Sequence, residues 1–258
     1  MINKNFVITE KNAEQYISCI ADFIRKSVER AGRSGVVLGM SGGIDSAVVA
    51  RLCQKAGINV ELVMLPDDEN TVTNIKNIED AMEMVNEFGF NYRIIDIKDI
   101  CNQFENAIDE PLRTLSRMNI PPRVRMSVLY ALAQNNSAFV IGTGNLDERL
   151  LGYFTKWGDG AHDLNPLGML TKGEVRVLAR HLEVPQSIIN KPPSAGLYEG
   201  QTDEGELGAT YEEIDNFILY GTSGSTEADQ IIKNRIAMST HKLASVPIFD
   251  GSDQTMQF

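Results

Sequence analysis

The sequence predicts an α/β fold with an open, mainly parallel sheet that is covered by helices on both faces. Short apolar runs alternate with segments of helical periodicity through the first half of the chain. The runs at residues 36–40 (VVLGM) and 61–65 (ELVML) are apolar at nearly every position. Such runs are typical of strands that are buried on both faces. The 258 residues and 43% hydrophobic content suffice for one large domain, so we expect a single core.

The order of elements follows from the periodicity. Residues 10–31 form the first predicted helix, since apolar side chains recur at spacings of three and four, at Ile17, Ala21, Ile24 and Val28. The predicted strands are residues 36–40, 60–65, 92–97 and 139–142. The predicted helices between them are residues 46–56, 72–88 and 124–134. Strands that are joined by helical crossovers run parallel.

The second half of the chain has a different character. Residues 144–211 are loop-rich, with only residues 173–182 strongly helical, and a long irregular stretch in a compact domain indicates function. Within it, residues 195–208 (AGLYEGQTDEGELG) are rich in glycine and acidic residues, and we expect them to form a mobile lid over a ligand. Two further helices are predicted at residues 211–219 and 226–238.

Composition restricts the classes of partner. The formal net charge of −11 argues against a general nucleic-acid-binding protein, which needs a basic surface. No apolar run approaches the roughly 20 residues that cross a bilayer. Residues 1–11 lack the order of a signal peptide, so we expect a cytoplasmic protein without a membrane partner.

Three cysteines lie far apart, at Cys19, Cys53 and Cys101. Their odd number and wide spacing suit neither a disulfide framework nor a metal site. We therefore expect structural thiols, with Cys19 and Cys53 packed inside helices.

The strongest chemical signal is a glycine-rich loop at residues 39–46 (GMSGGIDS), between the first strand and the next helix. The start of a helix presents free backbone N–H groups and the positive end of the helix dipole, which favour bound anions. Gly42 and Gly43 allow the close backbone approach that a phosphate requires. The candidate phosphate-binding residues are Gly39, Met40, Ser41, Gly42, Gly43, Ile44, Asp45 and Ser46.

The loop is not a Walker motif, because no Gly-Lys-Ser/Thr follows it. Asp45 stands where that lysine would be, and a carboxylate beside phosphates is favourable when Mg²⁺ bridges them. The alternative is an ordinary helix N-cap at Ser41 or Asp45.

A second candidate region follows the strand at residues 139–142. Ligands gather at the carboxyl ends of parallel strands, so residues 143–163 should face the same crevice as the glycine loop. Glu148 then becomes a second candidate for Mg²⁺. Alternatively, Asp147, Glu148 and Arg149 form a surface charge cluster.

Four sequence motifs carry a family resemblance. SGGIDS resembles the signature of the ATP pyrophosphatases, which cleave ATP between its α and β phosphates. Three later motifs follow in order: GTGNLDERLLGYFTKWGDGAHD at 142–163, NPLGMLTKGEVR at 165–176 and KPPSAGLYEGQTDEGELG at 191–208. With them, almost the whole chain resembles the ammonia-dependent NAD synthetases. The resemblance implies an adenine nucleotide alpha hydrolase-like fold, one domain over residues 1–258 and no glutaminase domain.

The resemblance also implies roles for individual residues. Asp45 and Glu148 would bind Mg²⁺, and Asp45 and Lys172 would be catalytic. Further ATP contacts would come from Thr143, Lys172 and Ser194. Contacts to the dinucleotide would come from Arg123, Lys156, Asp163, His241 and Lys242, with Arg125 as the rival of Arg123. His162 and His181 are expected to be loop and surface residues.

The activity that the resemblance implies is the ATP- and Mg²⁺-dependent amidation of deamido-NAD with ammonia. The reaction would pass through an NAD-adenylate and release AMP and pyrophosphate, and the enzyme would be a homodimer. Two alternatives remain. One is another ATP pyrophosphatase, GMP-forming or tRNA-modifying; the other is a nucleotide-binding module without turnover.

Overall fold

The fold is known from a computed structural model, which describes residues 4–68, 71–193 and 202–249. Its sheet has four strands in the order β3-β2-β1-β4, and every neighbouring pair is parallel. The strands are β1 (Gly35–Gly39), β2 (Asn59–Met64), β3 (Asn91–Ile94) and β4 (Phe139–Val140). This topology confirms the predicted parallel sheet.

Helices connect and cover the strands. Those of the first half are α1 (Ala13–Arg30), α2 (Ile44–Lys55), α3 (Val72–Phe88), α4 (Lys98–Ile108), α5 (Thr114–Met118) and α6 (Ile120–Asn135). Those of the second half are α7 (Leu146–Leu151), α8 (Lys172–His181), α9 (Gln186–Ile189), α10 (Asp203–Leu207), α11 (Tyr211–Tyr220) and α12 (Thr226–Leu243). The described residues contain no helix that is both long and apolar enough to span a membrane.

Several boundaries differ from the prediction. Helices α4 and α5 were not predicted, and β3 ends at Ile94 instead of residue 97. The chain turns there because the Asp96 carboxylate accepts a hydrogen bond from the Lys98 amide at 2.7 Å, which starts α4. Helix α12 continues to Leu243, five residues beyond the predicted end, and it carries His241 and Lys242 in its last turn.

Two apolar cores lie on opposite faces of the sheet. Val36 and Leu38 of β1 pack into the core that α1, α2 and α8 cover. Val37, between them in sequence, packs into the second core with side chains of α4 and α6. Since all three valine and leucine side chains are at most 2% exposed, β1 is buried on both faces as its composition predicts. Each such side chain stabilises the fold by about 1.5–3 kcal/mol.

A third, smaller cluster fixes the C-terminal helices. Leu151 of α7, Tyr211 and Ile214 of α11 and Ile232 of α12 pack together. The cluster joins α11 and α12 to α7, which follows β4 in the chain. It therefore places the C-terminal part of the chain beside the carboxyl ends of the strands.

The cysteine prediction was wrong for one residue. Cys53 and Cys101 are buried thiols, but Cys19 is exposed. On α1 the buried stripe runs through Ile17, Ala21 and Ile24. Cys19 lies two residues after Ile17, which turns it away from the stripe.

Candidate active site

The glycine loop closes directly after β1. Helix α2 begins at Ile44 with Gly43 as its N-cap, and no side chain caps it. The alternative of an ordinary N-cap at Ser41 or Asp45 is therefore wrong. Ser46 donates a hydrogen bond from its Oγ to the Gly43 carbonyl at 2.9 Å, and its Oγ lies 3.2 Å from that of Ser41. The uncapped first turn leaves backbone N–H groups available to an anion.

Three charged side chains from three helices meet beside this loop. The Lys172 Nζ lies 2.5 Å from Asp45 Oδ2 and 3.6 Å from Glu148 Oε1. The Lys172 side chain is 3% exposed, whereas Asp45 and Glu148 are 16% and 19% exposed. The predicted metal ligands and the predicted catalytic lysine thus form one cluster at the carboxyl ends of β1 and β4.

Asn145 joins the two carboxylates, and the sequence interpretation missed it. Its side chain is fully buried, and its Nδ2 donates a hydrogen bond to Asp45 Oδ1 at 3.1 Å. Its Oδ1 accepts from the Glu148 amide at 3.0 Å, while Glu148 Oε2 accepts from the Asn145 amide at 3.1 Å. This reciprocal pair is a capping box at the start of α7. The Asn-x-x-Glu spacing at the start of a helix was the available signal.

Burial and like charge shape the electrostatics of the cluster. Burial raises the pKa of Glu148, and the neighbouring Asp45 carboxylate raises it further. Burial alone would lower the pKa of Lys172, but Asp45 and Glu148 outweigh burial and raise it. Lys172 is therefore a protonated ammonium between two acidic groups, and the cluster favours an added cation.

A second pair of carboxyls holds the start of α8. Asp147 Oδ2 accepts a hydrogen bond from the Lys172 amide at 2.9 Å, and Asp215 Oδ2 accepts from the Gly173 amide at 2.8 Å. Burial raises the pKa of both acids, and Asp215 raises that of Asp147 further. Asp147 is fully buried, so it does not belong to a surface charge cluster with Glu148. Acceptors at a helix N-terminus stabilise it, and here they fix the backbone of Lys172.

Part of the predicted lid also borders the cluster. Ser194 and residues 195–201 lie outside the described residues, while residues 202–208 include α10. Asp203 is 4% exposed and accepts a hydrogen bond from the Tyr211 hydroxyl at 2.8 Å. Burial raises the pKa of Asp203. The ring centroid of Tyr211 lies 5.1 Å from Lys172 Nζ, so the aromatic ring borders the lysine side of the cluster.

The donor set fits a magnesium ion that is shared with phosphates. Among the described residues no group of three or more His, Cys, Asp or Glu side chains could hold a metal by itself. Mg²⁺ in nucleotide enzymes commonly uses one or two carboxylates, with phosphates and water as the remaining ligands. Asp45 and Glu148 supply two carboxylates beside the glycine loop. The residues that would hold Mg²⁺ are therefore these two.

A cavity of about 230 Å³ opens next to the cluster. Thr143, Glu148 and Lys242 line it, as does His162. His162 lies in a loop, as expected, but its side chain is half-buried. Burial lowers the pKa of this imidazole, and the nearby Arg149 cation lowers it further. The His162 side chain therefore lines the cavity as a neutral imidazole.

Four of the predicted dinucleotide-binding residues lie near one another. Lys156 Nζ donates a hydrogen bond to the His241 carbonyl at 3.1 Å, and Arg123 Nε donates to the Lys156 carbonyl at 3.4 Å. Lys242 Nζ donates to the carbonyls of Gly152 and Phe154, at 2.6 Å each. The end of α12 thus lies against the segment that follows α7.

The two other candidates have separate surroundings. Asp163 Oδ2 accepts a hydrogen bond from the Val140 amide at 2.7 Å, at the end of β4. Arg125 donates from Nε to the Leu65 carbonyl at 2.8 Å and lies 3.3 Å from Asp67. Arg125 therefore has structural partners at the end of β2, whereas Arg123 is exposed beside Lys156. The substrate contacts of all the candidates stay predictions, including those of Arg123 and Asp163.

Comparison with known proteins shows which family the chain belongs to. Residues 16–246 match the family described as NAD synthase. The chain is 42% identical over 241 residues to the NH3-dependent NAD+ synthetase of Carboxydothermus hydrogenoformans, covering 90% of this chain and 95% of that relative. It is 49% identical over 207 residues to that of Thermococcus sibiricus, covering 79% of each.

A solved structure agrees in fold as well. The NMN synthetase of Francisella tularensis superposes with a TM-score of 0.87 at 38% identity, covering 94% of this chain and 100% of that one. A family match over most of the chain and relatives above 40% identity give one conclusion: the chain belongs to the NAD synthase family.

Proposed function

We propose that this protein forms NAD from deamido-NAD, ATP and ammonia, releasing AMP and pyrophosphate. The observation that carries the proposal is the meeting of Asp45, Glu148 and Lys172 beside the uncapped start of α2. That arrangement suits the pyrophosphate end of a nucleotide, with backbone amides on one side and a cation site on the other. Membership of the NAD synthase family supports the choice of substrate.

In the first step, a nicotinate carboxylate oxygen attacks the α-phosphorus of ATP. A new P–O bond forms the adenylate, and the bond to the β-phosphate oxygen breaks to release pyrophosphate. The amides of residues 42–46 and the Lys172 ammonium would stabilise the negative charge on the phosphate oxygens. No protein nucleophile is needed, because positioning and charge stabilisation suffice.

In the second step, the ammonia nitrogen attacks the carbonyl carbon of the adenylate. The C–N bond forms, AMP leaves with the former C–O bond electrons, and the surplus proton passes to solvent. Neutral His162 and Thr143 line the adjacent cavity, which is the space where we place the nicotinate end. We keep the segment 195–208 as the proposed lid, which would protect the adenylate from water.

We propose Mg²⁺ as the required metal, held by Asp45 and Glu148. When bound, it would neutralise phosphate charge and polarise the attacked phosphorus. We keep Ser194, Arg123, Lys156, Asp163, His241 and Lys242 as proposed ligand contacts.

One assay tests the proposed function. Purified protein is mixed with ATP, Mg²⁺, deamido-NAD and ammonium, and both pyrophosphate and NAD are quantified, with a control lacking ammonium. Equal amounts of NAD and pyrophosphate are expected. Absence of product would reject the enzyme and favour a nucleotide-binding module. Turnover with xanthosine monophosphate instead would favour a GMP-forming relative, and turnover only with tRNA a tRNA-modifying one.

A second candidate substrate is a mononucleotide. The similarity to the NMN synthetase of Francisella tularensis favours it, since the same amidation of nicotinate mononucleotide would give NMN. Running the assay with each substrate in parallel compares the two values of kcat/KM. A higher value for the mononucleotide would replace the dinucleotide in the proposal.

We propose a homodimer, as the family resemblance implies. Apolar side chains on the α4 face are exposed, with Ile100 at 46% and Phe104 at 50%, and Leu115 of α5 is 70% exposed. Covering such a patch would remove apolar area from water. Sedimentation of wild type and of Phe104→Glu tests this, because the charge should shift the protein to monomers.

The remaining expectations stay proposals. These are that residues 1–258 form one domain and that the protein is cytoplasmic. Free ammonia is the proposed nitrogen source, as the similarity to NH3-dependent NAD+ synthetases supports.

A further inference from the structure

A lysine contacts the glycine loop where the loop meets α3. Lys191 follows α9 in the chain, and its Nζ is 2.6 Å from Asp80 Oδ2 and 2.7 Å from Asn77 Oδ1. The same Nζ lies 3.4 Å from the carbonyl oxygen of Gly42. Three elements that are distant in sequence thus meet at one ammonium group.

The glycine loop packs against α3 at this point. Gly42 has a φ of +73°, and a Cβ added to it would lie 2.3 Å from the carbonyl oxygen of Asn77. Only glycine fits such a conformation and such a close approach. Asn77 therefore contacts the loop with its backbone while its side chain binds Lys191.

The carboxylate of Asp80 is the acidic partner of Lys191. Its side chain is 1% exposed, and a buried carboxylate requires a partner. Lys191 pairs with Oδ2 from the loop side, and Lys76 pairs with Oδ1 at 2.9 Å from the solvent side. The Lys76 side chain is 57% exposed, whereas that of Lys191 is 26% exposed. Lys191 is the inner partner and the one that also contacts the loop.

We propose that Lys191 is a positioning residue for nucleotide binding, acting through the peptide group between Gly42 and Gly43. In a trans peptide the carbonyl and the N–H point in opposite directions. Holding the Gly42 carbonyl toward Lys191 directs the Gly43 N–H to the other side of the loop. There it donates to Ser41 Oγ at 3.3 Å, on the side where the proposed pyrophosphate lies. This inference rests on the proposed function.

The loss of this contact has a specific consequence. Without the ammonium, the Gly42–Gly43 peptide is free to rotate, since glycine tolerates both orientations. A carbonyl oxygen turned toward the phosphates would repel them, and one N–H donor would be lost. ATP binding should weaken, whereas the KM for ammonium should not change, because the loop is proposed to hold phosphates and not ammonia.

The test compares Lys191→Met and Lys191→Arg with the matched control Lys76→Met. The control removes the same charge from the same Asp80 carboxylate without touching the loop. Three quantities are measured for each protein: the KM values for ATP and ammonium, the equilibrium binding of α,β-methylene ATP with Mg²⁺, and the thermal midpoint. Lys191→Met should raise the KM for ATP and weaken analogue binding by about tenfold or more, with an unchanged KM for ammonium.

The remaining variants test whether the effect depends on the loop contact of Lys191. Lys191→Arg should recover part of the analogue affinity, because a guanidinium can reach both Asp80 and the loop. Lys76→Met should lower the thermal midpoint and leave ATP binding unchanged. If Lys191→Met does not fold, the double variant Asp80→Asn with Lys191→Met removes the buried carboxylate charge, for which Lys76 would otherwise be the remaining partner. It should still bind the analogue weakly.

Wild-type analogue affinity in the folded Lys191 variants would overturn the inference and leave Lys191 a purely structural ion pair. Equal weakening in Lys76→Met would do the same. If wild-type protein makes no NAD, the proposed function fails, but analogue binding still decides the role of Lys191.

Discussion

Lys172 places its ammonium 2.5 Å from the carboxylate of Asp45, although 127 positions separate the two residues in sequence. The pair is nearly buried, with Glu148 3.6 Å from the same ammonium. Lys172 compensates part of the charge of the two carboxylates that are proposed to bind Mg²⁺. The Lys172 ammonium and the proposed metal would therefore interact with the same two carboxylates.

Replacing Asp45 with Asn should abolish most turnover and keep the fold. The amide retains the size of the side chain but loses the charge that is proposed to bind Mg²⁺. We expect kcat/KM to fall by about 100-fold or more, with a thermal midpoint near that of wild type. The control is Asp22→Asn on the exposed surface of α1, which should keep full activity. Wild-type rates for Asp45→Asn would remove its metal role.

Lys172→Met should destabilise the protein and make it more responsive to Mg²⁺. Two nearly buried carboxylates then lack a cation, which costs about 3 kcal/mol of unfolding free energy. A divalent ion can replace the missing charge, so added Mg²⁺ should raise the midpoint of Lys172→Met more than that of wild type. Thermal unfolding with and without Mg²⁺ measures this. An equal gain in both proteins would argue that no metal binds between the carboxylates.

Two substitutions at Asn145 should separate helix capping from the link to Asp45. Asn145→Ser keeps an acceptor for the Glu148 amide but loses the donor to Asp45, whereas Asn145→Ala loses both. Asn145→Ala should lower the unfolding free energy by about 1–2 kcal/mol, and the serine variant by less. Both should raise the KM for MgATP. A serine variant with the wild-type KM would show that the link to Asp45 has no role in binding.

The stability of the protein should depend on pH through His181. Hydrogen bonds to Glu10 and Glu14 raise the pKa of His181 above its usual 6.5, and Arg180 also pairs with Glu10. Because the folded pKa is raised, this contribution is complete below about pH 6.5 and is lost as the pH rises through the higher folded value.

Urea unfolding across that window measures the effect. The wild-type unfolding free energy should fall with rising pH in the window, and the His181→Gln variant should lack that component. An identical slope in both proteins would assign the pH dependence to other groups.

The first half of the fold could be predicted from sequence because its signals are local. Apolar periodicity identified β1 and β2, and α3 has the predicted bounds. The glycine loop predicted α2, which begins at Ile44, two residues before the predicted start. In contrast, α4 was missed although Ile100, Phe104 and Ile108 recur at a spacing of four, which is a helical pattern.

The site was only partly predictable. Asp45, Glu148 and Lys172 were identified by motif, but their mutual distances depend on how α2, α7 and α8 pack. Asp215 could not be recognised, since its role is a bond to the Gly173 amide from a distant helix. Asn145 carried a capping signal, yet its bond to Asp45 follows only from the fold.

The most direct test is a crystal structure with α,β-methylene ATP and Mn²⁺, with the metal located by anomalous scattering. The account predicts a manganese peak within coordination distance of the Asp45 and Glu148 carboxylates, and the β and γ phosphates on the amides of residues 42–46. A well-bound nucleotide whose phosphates lie away from that loop, or a metal away from both carboxylates, would contradict it.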